Sequence, residues 1–134
     1  MGKPARGPHE RITTSGPLPE TVAEIARSRR EGVCWSQWTA EFDLNLVAWG
    51  PRHGVAMHVN DSADVLVVCL GGQGQVTVDG IAQPLEPGRV IVLPRGARRS
   101  ILAQTRLLYL TAHRRQPRTF SPEELLGRRD PADR

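Results

Sequence analysis

His58-Val59-Asn60-Asp61-Ser62-Ala63-Asp64-Val65-Leu66-Val67-Val68-Cys69-Leu70-Gly71-Gly72-Gln73-Gly74 and, further along, Gly88-Arg89-Val90-Ile91-Val92-Leu93-Pro94-Arg95-Gly96-Ala97-Arg98-Arg99 are the stretches on which the fold turns. Each holds a short apolar run closed by glycine or proline, too brief for a helix and rich in the β-branched residues that suit a pleated surface. The runs predict strands over 64–70 and 89–93. Working outward, further strands are predicted over 55–60, 75–79, 99–103 and 106–112. Before them Phe42, Leu44, Leu46 and Ala48 alternate with Asp43, Asn45, Val47 and Trp49, the period of a half-buried strand. Val78-Asp79-Gly80-Ile81 carries the Asp-Gly signal of a tight hairpin with φ > 0 at both central residues. Many short strands at regular spacing, with no long helical pattern between them, predict an all-β sandwich or small barrel.

The flanks read differently. Residues 1–17 hold too little apolar content to pack and are predicted to be a flexible N-terminal arm. Pro19, then Val22, Ile25, Ala26 and Arg29 at helical spacing, then Gly32, predict a short amphipathic helix leading into a single domain over 18–120. Ser121-Pro122-Glu123-Glu124 combines a cap, a first-turn proline and an acidic third position, so a short C-terminal helix and tail are predicted over 121–134. The strand Val65–Leu70 is apolar on both faces. One face must line the interior; the other needs cover from the N-terminal helix or from a second subunit, so a homodimer is expected.

With 134 residues, 39% of them hydrophobic, one core can form without disulfides. Cys34 and Cys69 follow no CxxC or zinc spacing, and residues 1–19 lack the apolar stretch of a signal peptide, so a cytoplasmic protein with reduced, inert thiols is expected. No run approaches the roughly 18 apolar residues of a membrane span. The net charge of +4 rests on 18 basic residues, all arginine except Lys3, which arginine-rich codon usage alone can produce. Three Trp, two Phe and one Tyr leave few stacking platforms, which argues against nucleic acid as a partner.

The two opening stretches resemble the paired motifs of the cupins. In the metal-binding members of that family the first motif reads His-x-His, three or four residues, Glu, six residues, Gly; the second reads Gly, five residues, Pro-x-Gly, two residues, His. Here the spacing is kept, but the second His is Asn60 and the last is Arg99. With Gly71 as the motif glycine the acid position is Asp64. With Gly72-Gln73-Gly74 as the usual Gly-x-Gly it falls on Val65, which sends the neighbouring Asp64 to the other face. The resemblance spans about residues 42–113 and implies a double-stranded β-helix, or jelly-roll barrel, whose motif residues point into the barrel mouth. It does not select among the isomerases, dioxygenases, decarboxylases and sensor domains that share the shape.

Residue chemistry narrows the choice. A divalent transition metal wants imidazoles and a carboxylate, whereas Asn60 offers a neutral amide and the Arg99 guanidinium is a fixed cation with no lone pair. No metal or other cofactor is therefore expected. The sequence predicts a metal-independent cupin, small-molecule-binding or regulatory, non-catalytic or vestigially so. Its ligand site is predicted at His58, Asn60, Asp64 and Arg99, with Tyr109 on the last long strand. Arg99 and Asp64 are expected to form a bidentate pair, and the partner is expected to be a small polar or anionic molecule. The alternative is a metal-dependent isomerase or oxygenase in which His58 and Asp64 bind a divalent transition metal and His53 completes the set. No nucleophile elbow, P-loop, HExxH or dinucleotide fingerprint competes with these readings.

Overall fold

Alternation with a period of two sorts the chain into two antiparallel sheets. The computed structural model describes residues 18–115; the arm predicted over 1–17 and the helix predicted over 121–134 lie outside them. Helix α1 (Leu18–Arg27) is followed by β1 (Gly32–Trp38), β2 (Phe42–Trp49), β3 (Gly54–Val59), β4 (Val65–Gly71), β5 (Gly74–Val78), β6 (Ile81–Leu85), β7 (Val90–Leu93), β8 (Arg98–Ala103) and β9 (Leu107–Arg114). One sheet has the order β1-β2-β9-β4-β7, the other β3-β8-β5-β6. Their inner faces enclose a core that includes Trp49, Val67, Val76, Leu85, Leu107 and Tyr109. The fold is the expected two-sheet jelly roll with one short helix before it. Among the described residues no helix is long and apolar enough to cross a membrane.

The hairpin signal at Asp79-Gly80 holds, with φ of 49° and 84° at the two central residues. Two strands have no counterpart in the sequence reading. In β1 a bulge between Val33 and Trp35 breaks the alternation, so Cys34 and Trp35 both turn outward. In β6 Pro84 breaks the pattern, which is tolerated because the strand is an edge with only β5 beside it.

Helix α1 stops at Arg27, short of Gly32, because a side chain distant in sequence ends it. The Arg106 guanidinium donates to the Ile25 carbonyl at 2.9 Å and to the Arg30 carbonyl at 2.8 Å, satisfying the C-terminal turn. The helix buries Ile25, while Ala26 and Arg29, predicted to share that face, are exposed. Under it lie Cys34, Trp35, Leu46, Ala48 and Leu108 on the outer face of the larger sheet. Strand β2, predicted to be half-buried, is consequently buried on both faces from Leu46 to Trp49.

The helix covers only part of that outer face. Cross-strand neighbours Leu44, Ala112, Leu66 and Val92 form one apolar row, and Leu46, Leu110, Val68 and Val90 the next. At the β7 edge these rows open to solvent, with Val90 and Val92 each 56% exposed.

The β4–β5 turn depends on Gly72. Its φ is +76°, and a Cβ there would sit 1.7 Å from the Arg106 carbonyl oxygen, a backbone atom that cannot move aside. Gly71 tolerates a Cβ, whose nearest neighbour would be 4.0 Å away. Gly72→Ala is therefore expected to cost about 2 kcal/mol or more and Gly71→Ala far less, read as the difference between their urea midpoints.

Candidate functional site: the barrel mouth

Strands β3 and β8 place His58 opposite Arg99, and both residues line the space between the sheets, as do Val55 and Ile101, which pair beyond a register shift in β3. From the facing sheet come Val65 and Val67 of β4, Leu93 of β7, and Tyr109 and Thr111 of β9. These residues and Ser100 of β8 line a pocket of about 330 Å³ with its open mouth included, in which the centre of a water can occupy only about 20 Å³. That is space for one or two waters.

Arg99 dominates its electrostatics. The residue is 3% exposed. Its Nη1 donates to the Pro94 carbonyl at 3.3 Å, a long contact, and its Nε–H has no acceptor among the described residues. Among the described residues no carboxylate lies within ion-pair distance of it. Desolvation pulls its pKa down, as burial does for any cation.

The predicted Asp64–Arg99 pair does not form. Asp64 is exposed, and its Oδ1 accepts the Arg95 backbone N–H at 2.7 Å, fastening the β7–β8 turn to the start of β4. Val65 faces the pocket in its place. The reason is register: Gly72 and Gly74 are the glycines the backbone requires, and counting back from Gly72 puts Val65 at the acid position.

Of the other predicted residues, Asn60 lies outside the pocket lining. Its Oδ1 accepts the Ser62 N–H at 2.8 Å and its carbonyl accepts the Gly96 N–H at 2.8 Å, so it organises the turn after β3. His58 does line the pocket, with Nδ1 3.0 Å from the Ala56 carbonyl. Tyr109 forms part of the floor, where its hydroxyl accepts the Trp49 Nε1–H at 3.0 Å and burial pushes its pKa far up. His53 stays away from the barrel: it sits in the β2–β3 turn, 2.5 Å from Glu31, and that contact lowers the Glu31 pKa. It is not placed to complete a ligand set with His58. His113 is half-buried near the end of β9 and contacts the Arg114 carbonyl at 3.0 Å. Cys34 and Cys69 are buried free thiols whose pKa values desolvation raises. Among the described residues no three His, Cys, Asp or Glu side chains gather as metal ligands would.

The residues missed at the sequence level are Ser100, Thr111 and the apolar walls Val55, Val65, Val67, Leu93 and Ile101. Thr111 was legible as the residue two beyond Tyr109 on one strand face; the walls were legible as inward positions but carry no chemical signature.

No family model and no curated protein matches the chain. Solved structures do. A cupin-2 domain containing protein from Shewanella frigidimarina superposes with a TM-score of 0.61 at 14% identity, over 75% of this chain and 95% of that one. The chain has the cupin fold. TT1209 from Thermus thermophilus gives a TM-score of 0.60 at 19% identity, over 71% of this chain and 95% of that one. An RmlC-like cupin, also from Shewanella frigidimarina, gives 0.54 at 14% identity over 57% and 68%. At these identities the likeness establishes the barrel and leaves the chemistry of its mouth to this chain's own residues.

A buried cation without a counter-charge costs more in desolvation than one hydrogen bond returns. Arg99→Met, which keeps the stem and removes the charge, is therefore expected to stabilise the ligand-free cupin barrel by about 1–4 kcal/mol in urea denaturation at an unchanged m-value. A loss of stability would mean that Arg99 has a counter-charge in solution.

Proposed function

We propose that this cupin barrel is a metal-independent binding module for a small anionic molecule, held at the mouth by Arg99 and His58, with no catalytic role. The observation that carries the reading is the Arg99 side chain, buried in the pocket with an unpaired Nε–H and no carboxylate beside it. Such a group is satisfied most directly by an anion from outside. The donor set does not suit the transition metal that the fold family implies. Of the side chains facing the pocket only the His58 imidazole is a good ligand; the acid position carries Val65 and the last motif position carries a fixed positive charge. Among the described residues that line the pocket, His58 is the one imidazole and there is no carboxylate, so the Ser100, Tyr109 and Thr111 hydroxyls have no base beside them other than His58.

Metal content measured by mass spectrometry on untagged protein prepared without chelators tests the reading, with His58→Ala as control. The expected result is metal well below one equivalent in both. About one equivalent of iron, manganese, nickel or zinc, lost in His58→Ala, would make the metal-dependent isomerase or oxygenase the better reading.

We also propose that a second copy of the chain covers the open half of the outer face. The two apolar rows on β9, β4 and β7 continue those that α1 already covers, and they carry no charged side chain that would select a partner of another kind. Laid about a two-fold axis, such a patch is complementary to itself. Sedimentation equilibrium is expected to give a dimer for the intact chain and a monomer for Val90→Glu/Val92→Glu with an unchanged circular dichroism spectrum. An intact chain that is monomeric, with the Val90 and Val92 methyl signals shifting when residues 116–134 are removed, would assign the cover to that segment instead.

A further inference from the structure

We infer that the anion this barrel takes is a small monocarboxylate with an apolar body, its carboxylate on the Arg99 guanidinium and its hydrocarbon part against Val65, Val67 and Ile101. The inference rests on the metal-free binding reading above and narrows it to a chemical class.

Charge comes first. Among the described residues Arg99 is the one permanently charged side chain lining the pocket, and it is 3% exposed. A single negative charge neutralises it. A phosphate dianion would leave an excess charge in a site of low dielectric, and a neutral sugar would leave the guanidinium unpaired while pressing hydroxyls against hydrocarbon.

Shape comes second. The free Nε–H and the Nη2 on the same side of the guanidinium form one planar fork, which matches the two oxygens of a carboxylate, while Nη1 on the other side meets the Pro94 carbonyl. The other polar groups at the pocket are few. The Tyr109 hydroxyl accepts from Trp49 and keeps its own proton to donate, and Ser100, Thr111 and His58 line the same space. They can serve one or two further oxygens, as in a 2-hydroxy or 2-oxo acid. The remaining walls are Val55, Val65, Val67, Leu93 and Ile101. With room for only one or two waters inside, the carboxylate alone enters fully, and the body must be short and lie toward the open mouth.

The test uses the intact chain and three probes at matched ionic strength: isobutyrate, the neutral isobutyramide, and inorganic phosphate. Binding is read from the NMR signal of the Arg99 Nε–H and from the thermal midpoint. Isobutyrate is expected to shift that signal saturably and to raise the midpoint, with the amide and phosphate weaker by about tenfold or more. Arg99→Met is expected to lose isobutyrate binding, and Arg99→Lys, which keeps the charge without the fork, to weaken it by about tenfold while remaining folded. Phosphate or the amide binding as well as isobutyrate would overturn the monocarboxylate assignment and leave a metal-free ligand site standing. No shift of the Nε–H by any probe would overturn the assignment and the anion-binding reading together. One equivalent of metal bound through His58 would remove the reading on which both rest.

Discussion

The register of β4 between β7 and β9 is the constraint on which the rest of the site depends. Pairing runs without interruption from Val65 opposite Leu93 to Cys69 opposite Tyr109, and then slips by one residue before Gly71 meets Leu108. The slip absorbs Leu70, turns it toward the helix-covered outer cluster, and delivers the chain to Gly72, where only glycine fits beneath the Arg106 carbonyl. Because side chains alternate, this one count decides that Val65, Val67 and Cys69 face inward. Asp64 then falls outside the barrel and binds a backbone amide instead of the guanidinium.

From that count the character of the mouth follows. Arg99 enters from β8 at the only place its motif allows, opposite His58, and meets valine where a carboxylate would have neutralised it. The surrounding barrel is well packed, with Leu46, Val67, Val76, Leu85 and Leu107 fully buried, so the fold can bear one unfavourable charge. A cation held in apolar surroundings with its hydrogen-bonding capacity partly unused is poised for an anion, since the cost of its dehydration has already been met when the ligand arrives.

Arg106 shows a second way in which distant residues decide local structure. Its guanidinium reaches from the start of β9 to the end of α1 and takes the Ile25 and Arg30 carbonyls, fixing the helix over Trp35, Leu46 and Leu108. The stop of the helix at Arg27 was therefore invisible in the helix's own residues, where Gly32 was the nearest punctuation. The bulge in β1 was equally hidden, because Val33, Cys34 and Trp35 have no period until β2 supplies the pairing. The edge strand β6 was obscured by Pro84, which the fold tolerates only because nothing pairs on its far side.

What the sequence by itself determined is the barrel. Alternation, the Asp79-Gly80 turn, and the glycine and proline spacing from Gly88 to Gly96 are local properties, written in consecutive residues and physically sufficient to place strands and turns. That His58 and Arg99 point inward is what the resemblance of their motifs to the cupins implied, and Tyr109 was a candidate from its place on the last long strand of that fold. Only the tertiary structure decided that Asn60 and Asp64 leave the site, that His53 belongs to Glu31, and that Thr111 and an apolar wall belong to the pocket. Those outcomes depend on strand register, and register is a relation between segments far apart in the chain, set by which backbone atoms pair and which glycine the close approach of two strands requires.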